Sequence, residues 1–208
     1  KTRLIFLSSP NNPTGNISLR NDILRLLKNV DCPIIIDEAY AEFCGQSSID
    51  LVPDYKNLII IRTFSKAFAL AGVRIGYMVT NKQNIRIINM MRPPNSVGVI
   101  SLVLAKLALD NLAYIQRTVN ATVKERMRFA RILKKIKGIQ VFPSQANFVM
   151  IKIVGKDASE IAIKLFEYGL IVRNLTGQPT LKNCLRLTIR KPEENEILLT
   201  KLRNIVGD

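Results

Sequence analysis

The chain has 208 residues, 48% of them hydrophobic, with 31 Lys and Arg against 16 Asp and Glu, a formal net charge of +15 and a sequence pI near 10.0. That apolar fraction supports a sizeable core and excludes a disordered chain. Histidine is absent, which removes Ser/His and Cys/His nucleophile arrangements and leaves Lys, Asp, Glu, Tyr or Cys as general bases.

The three scattered cysteines, Cys32, Cys44 and Cys184, have neither metal nor redox spacing and suit a reducing cytoplasm. The sequence runs from Lys1 directly into RLIFLS (3–8), an interior-type strand, so an amino-terminal portion is expected to precede it. No charged-then-apolar leader is visible in this segment, and no apolar run reaches the ~18 residues of a membrane span. NNPTGN has turn composition. Residues 18–29 read as a helix, with Ser18 as N-cap and Leu19, Ile23, Leu26 and Leu27 apolar. PIIID (33–37), NLIIIR (57–62) and IGYMVT (75–80) are short continuous apolar runs, as expected of buried parallel strands. Residues 82–91 read as helical, Pro93 and Pro94 break the chain, and helices follow over 96–110 and 112–137.

In the last of these, Leu112, Ile115, Val119, Val123, Met127, Ala130 and Leu133 recur at steps of three and four, a core stripe. Lys124, Arg128, Arg131 and Lys135 lie mostly off it, so they read as a solvated face. Phe129 is the one aromatic among them, too few to stack successive bases, and no nucleic-acid partner is expected. After Gly138 come strands at IQVFP, NFVMIKI, LIVRN and CLRLTI and helices over 157–168 and 192–205. The pattern is an α/β layer protein: residues 1–111 with a mostly parallel sheet, and residues 112–208 as a linking helix and a smaller α+β unit.

In open α/β sheets ligands bind outside the carboxyl ends of the strands. Here strand 3–8 is followed by Asn11, Asn12 and Thr14, strand 33–37 ends in Asp37 with Glu38 and Tyr40 next, and strand 57–62 is followed by Thr63, Ser65 and Lys66. Three strand ends thus carry three polar clusters. Asp37 closes an apolar strand and needs a cation or donors. Lys66 stands before the apolar AFALAGV, so its stem is expected to be covered; desolvation would lower its pKa and make the amine available for Schiff-base chemistry.

SPNNPTGN, DEAY and TFSKAFALAGVRIGY together resemble the signature of the fold-type I pyridoxal-phosphate aminotransferases, and CLRLTI resembles that family's carboxyl-terminal arginine site. The closer likeness is to the histidinol-phosphate aminotransferases, through RTFSKAFALAGVR and the arginines Arg173 and Arg186. The resemblance covers nearly the whole chain, while the family's amino-terminal third has no counterpart in it. Asn174 stands where many relatives have aspartate, and RPPNSVG is shorter than the usual interdomain segment.

The resemblance implies a three-layer, aspartate aminotransferase-like large domain with a small carboxyl-terminal domain, and pyridoxal 5'-phosphate as cofactor. Lys66 would form the Schiff base and move the proton, Asp37 would pair with the pyridine nitrogen, and Asn12 and Tyr40 would bind the phenolate oxygen. Ser65, Arg74 and Thr63 would hold the cofactor phosphate, and Arg173 and Arg186 the substrate anion. It further implies transamination between histidinol phosphate and 2-oxoglutarate or glutamate by a homodimer, with small molecules as partners and no membrane. An aromatic amino-acid aminotransferase, a phosphate-substrate decarboxylase, or an inactive remnant with a basic anion-binding surface are the alternatives.

Overall fold

The computed structural model describes residues 1–207, and Asp208, last residue of the second expected domain, lies outside the described residues. Contacts divide the chain into two compact units, Lys1–Asn11 with Ile17–Val119, and Asn12–Asn16 with Asn120 onward. The division falls inside helix α5 (Leu112–Leu133) and not at its start, and the short Asn12–Asn16 segment groups with the second unit.

In the first unit, strands β1 (Ile5–Ser8), β2 (Ile34–Asp37), β3 (Leu58–Thr63) and β4 (Gly76–Val79) lie side by side in chain order. β1, β2 and β3 are parallel, with Ser8 opposite Asp37 and Asp37 opposite Ile61. Isoleucine and leucine runs specify these strands because both faces of a parallel sheet are covered. Ile34, Ile36, Leu58 and Ile60 are fully buried and pack with Ile23 and Leu27 of helix α1 (Arg20–Asn29).

Two sequence expectations need correction here. β4 runs antiparallel to β3, with Tyr77 and Met78 exposed, and is no buried parallel strand. The connecting segment holds no crossover helix and closes on itself through Phe64 N–H donating to Ile75 O at 3.2 Å, so the chain returns as a hairpin. Ser18 does not cap α1 with its side chain. The N-cap is Leu19, in extended conformation, and the Ser18 N–H is spent on Ser9 Oγ at 3.0 Å. Helices α2 (Ala41–Cys44), α3 (Lys82–Met91) and α4 (Val99–Asp110) complete this unit.

In the second unit β5 (Ile139–Val141), β6 (Phe148–Ile153), β7 (Arg173–Asn174) and β8 (Cys184–Thr188) form an antiparallel sheet in the order β5-β6-β8-β7. Helices α6 (Ala158–Glu167) and α7 (Pro192–Gly207) join the carboxyl-terminal half of α5 in one core, where Phe129, Leu133, Ile151, Leu165, Leu185, Leu187 and Leu202 are fully buried. Each such side chain contributes about 1.5–3 kcal/mol relative to exposure.

The α5 stripe differs from its expected membership: Leu112 and Met127 are exposed, whereas Val119, Phe129 and Leu133 are buried. Arg126 takes a buried place because its guanidinium donates to Ala146 O at 2.7 Å and to Gln145 Oε1 at 3.3 Å. Gly15 is buried with φ of +81°, and a Cβ there would strike the Ser144 side chain, so only glycine allows this close approach. Among the described residues no single helix is long and apolar enough to cross a membrane.

Candidate active site

In the first unit, the carboxyl ends of β2 and β3 bring two of the expected clusters together. Asp37 is the last residue of β2, half-buried, and its Oδ1 accepts the Ala39 N–H at 2.9 Å. The turn so formed leads to Tyr40, which is buried just before α2. Thr63 ends β3, and its Oγ1 accepts the Ser65 N–H at 3.0 Å.

Lys66 follows, with its Nζ 5.4 Å from the centre of the Tyr40 ring. It is exposed, contrary to the expected covered stem. Phe64, Ala67 and Phe68 take the buried places of this turn and leave Lys66 facing outward. Arg74 is also exposed and donates through Nη1 to Ala71 O at 2.9 Å. Ala69 and Arg74 both hold positive φ, at 56° and 54°. Non-glycine residues reach that region at a cost that surrounding contacts must offset; here Leu70 N–H bonds to Phe64 O at 3.0 Å, and Ser101 Oγ of α4 bonds to Val73 O at 2.8 Å. The loop thus presents hydroxyls, an amine and a guanidinium next to a carboxylate and an aromatic ring. Such a set can hold a flat, anionic molecule that carries a carbonyl.

Behind these residues lies a cluster that the sequence reading did not single out. Side chains alternate across a strand, so Glu38 and Arg62 project to the face of Ile36 and Ile60, while Asp37 and Thr63 project to the other. Arg62 donates from Nε and Nη2 to Glu38 Oε2 at 3.1 and 2.8 Å, and from Nη1 to Glu42 Oε1 at 3.2 Å. Arg62 Nη2 also reaches Ser47 Oγ at 2.7 Å, and Glu38 Oε1 accepts the Ser48 N–H at 2.6 Å. Burial pushes the Glu42 carboxyl above its usual range, with the Arg62 charge opposing less strongly. The available signal was the two-residue step from Ile36 to Glu38 and from Ile60 to Arg62, which puts two opposite charges on one covered face.

The remaining expected site residues lie in the second unit. Arg173 and Arg186 stand directly opposite each other on β7 and β8. Like charges so placed repel. Arg186 Nη1 donates to Asn12 Oδ1 at 2.5 Å, and its guanidinium stands 5.1 Å from the Phe148 ring centre. Its Nε is buried and, among the described residues, has no hydrogen-bond partner. Two cations at paired strand positions, one with an unused buried donor, make this a candidate anion site.

The sequence model for aminotransferase class I and II matches residues 1–202, and the chain belongs to this pyridoxal-phosphate-dependent family. Within it, the chain is similar to the histidinol-phosphate aminotransferase of Ruminiclostridium cellulolyticum, 41% identical over 201 residues, which are 96% of this chain and 56% of that protein. The crystal structure of the histidinol-phosphate aminotransferase from Clostridium acetobutylicum matches with a TM-score of 0.94 at 28% identity, covering 99% of this chain and 64% of that one. The Sinorhizobium meliloti histidinol-phosphate aminotransferase in complex with pyridoxal-5'-phosphate matches with a TM-score of 0.88 at 28% identity, covering 99% and 57%. The chain therefore spans little more than half the length of the curated relative it matches, and it has that family's fold.

Proposed function

We propose that the protein works as a pyridoxal-phosphate-dependent aminotransferase that moves an amino group between histidinol phosphate and 2-oxoglutarate or glutamate, as part of a homodimer. The observation that carries this reading is the meeting of Asp37 and the Thr63–Lys66 turn at the paired ends of β2 and β3, with Lys66 Nζ beside the Tyr40 ring. The donor set fits the cofactor: an accessible amine suits an aldehyde, a carboxylate suits a ring N–H, and hydroxyls with a guanidinium suit a phosphate dianion.

When bound, pyridoxal phosphate supplies an aldehyde that links to amines and a protonated ring that draws electrons from the adjacent carbon. Lys66 Nζ would be the attachment point and, once free, the base that carries the proton from the substrate carbon bearing nitrogen to the former aldehyde carbon. Asp37 would keep the ring nitrogen protonated through its negative charge. Tyr40 and Asn12 would donate to the phenolate oxygen. Ser65, Thr63 and Arg74 would hold the phosphate. Arg173 and Arg186 receive the anionic end of the substrate, and their mutual opposition supports a phosphate there, with the smaller carboxylate of glutamate taken by the same pair.

The test is spectroscopic. Purified protein mixed with pyridoxal phosphate should show a visible absorbance band that borohydride abolishes, leaving the label on Lys66, and Lys66→Ala should lose both the band and at least about a hundredfold in transamination rate. A label on any other lysine, or a band that survives in Lys66→Ala, would remove Lys66 from the reaction.

A further inference from the structure

The roles above leave the buried charges behind the sheet unused. Glu38 and Glu42 bracket Tyr40 in sequence, one directly after Asp37, while Arg62 directly precedes Thr63. The guanidinium contacts both carboxylates, and the side chains of Arg62, Glu38 and Glu42 are 14%, 3% and 17% exposed. We propose that Arg62 is a positioning residue, which clamps the segment carrying Asp37 and Tyr40 to the segment carrying Thr63, Ser65 and Lys66 from the opposite face of the sheet. The inference deepens the functional reading and rests on it, since the positioned groups are those assigned to the cofactor.

Three observations carry it. The backbone hydrogen bond from Glu38 N–H to Ile61 O at 2.9 Å is the last rung of the β2–β3 ladder, so beyond it only side chains hold the two segments in register. All three guanidinium nitrogens are engaged, and a planar fork that binds two carboxylates fixes direction as well as distance, which a lysine ammonium does not. The cluster has two carboxylates for one cation, and Glu42 Oε2 is buried with no hydrogen-bond partner among the described residues. Buried ion pairs are weak sources of stability, since apolar or neutral replacements often do as well, so stability alone is a poor reason for this arrangement.

That last point gives the experiment. Arg62→Lys keeps the charge but cannot bridge both carboxylates. The triple variant E38Q/R62M/E42Q removes every charge of this cluster while leaving an amide oxygen for the Ser48 N–H. Pyridoxal phosphate is the probe, and its dissociation constant and the pH midpoint of the Lys66-linked band are the readouts, with thermal melting alongside. Arg62→Lys should weaken cofactor binding by about tenfold, a size usual for outer-shell partners of a ligand site, and shift the pH midpoint. The triple variant should melt near the parent protein yet recover neither quantity.

A triple variant with the parent's dissociation constant and midpoint overturns the proposal. If that variant does not fold, an Arg62→Lys protein unchanged in both overturns it equally. If the parent protein itself forms no lysine-linked band, the functional reading fails; the clamp is then judged by amide exchange, where Arg62→Lys should speed residues 37–42 and 61–66 together, and acceleration in neither segment sinks it.

Discussion

Glu42 shows how one side chain ties stability to pH. Burial raises its pKa above the usual 4.5, so the folded protein binds that proton more tightly than the unfolded chain does. The sign follows from linkage: the stabilisation is complete below the ordinary carboxylate value and is lost as pH rises through the raised one. Glu42→Gln keeps an acceptor for Arg62 Nη1 and carries no charge. Denaturant titrations should therefore show the variant gaining on the parent protein as pH rises from the ordinary carboxylate range through the raised value, and a variant that loses ground as pH rises would contradict this.

At the substrate end, Arg173→Gln should cost far more with histidinol phosphate than with phenylalanine, by about tenfold or more in kcat/KM, because only the phosphate needs both guanidiniums. Equal losses would favour an aromatic amino-acid aminotransferase. The placement of Asp37, Tyr40 and Lys66 at or just past the ends of β2 and β3 was legible in sequence because continuous apolar runs fix where buried strands stop. The outward direction of Lys66 was not, since Phe64, Ala67 and Phe68 take the buried places of its turn, and a turn has no fixed period from which to read which side chains those are.

Elements of secondary structure were read well where their periodicity is strong and poorly where an end or a direction is set by partners. β7 shrank from the expected LIVRN to two residues, and β4 reversed direction. The corner before β8 is a case where one polar side chain joins several elements. Asn183, at a φ of 62°, accepts the Ala158 N–H at 2.8 Å and donates to Ile153 O at 2.7 Å and Lys156 O at 2.8 Å. It thereby serves the end of β6, the start of α6 and the connection between them. Asn183→Ala should cost about 2–4 kcal/mol by denaturant unfolding, because it strands several backbone groups and places alanine in a left-handed conformation. A loss below about 0.5 kcal/mol, the range of an ordinary surface change, would show that water replaces those bonds.

For the molecule as a whole, the +15 charge makes attraction to polyanions unavoidable, and its salt dependence separates background from function. Binding to duplex DNA seen at about 50 mM salt should vanish by about 200 mM, as expected for contacts made only through phosphates. A complex that persists would revive the basic-surface alternative.

The composition of NNPTGN announced a turn but not the unit in which it sits, because local residue preferences carry no information about distant partners. The last five residues of NNPTGN, 12–16, interrupt the first unit and supply the second with the Gly15 O bond to Gln145 N–H and the Asn12 acceptor for Arg186. Neither unit is therefore a continuous stretch of gene. A clone begun at codon 120 would encode a carboxyl-terminal piece whose key arginine lacks its amide companion, so dissecting this protein calls for a graft or a circular permutation instead of a simple truncation.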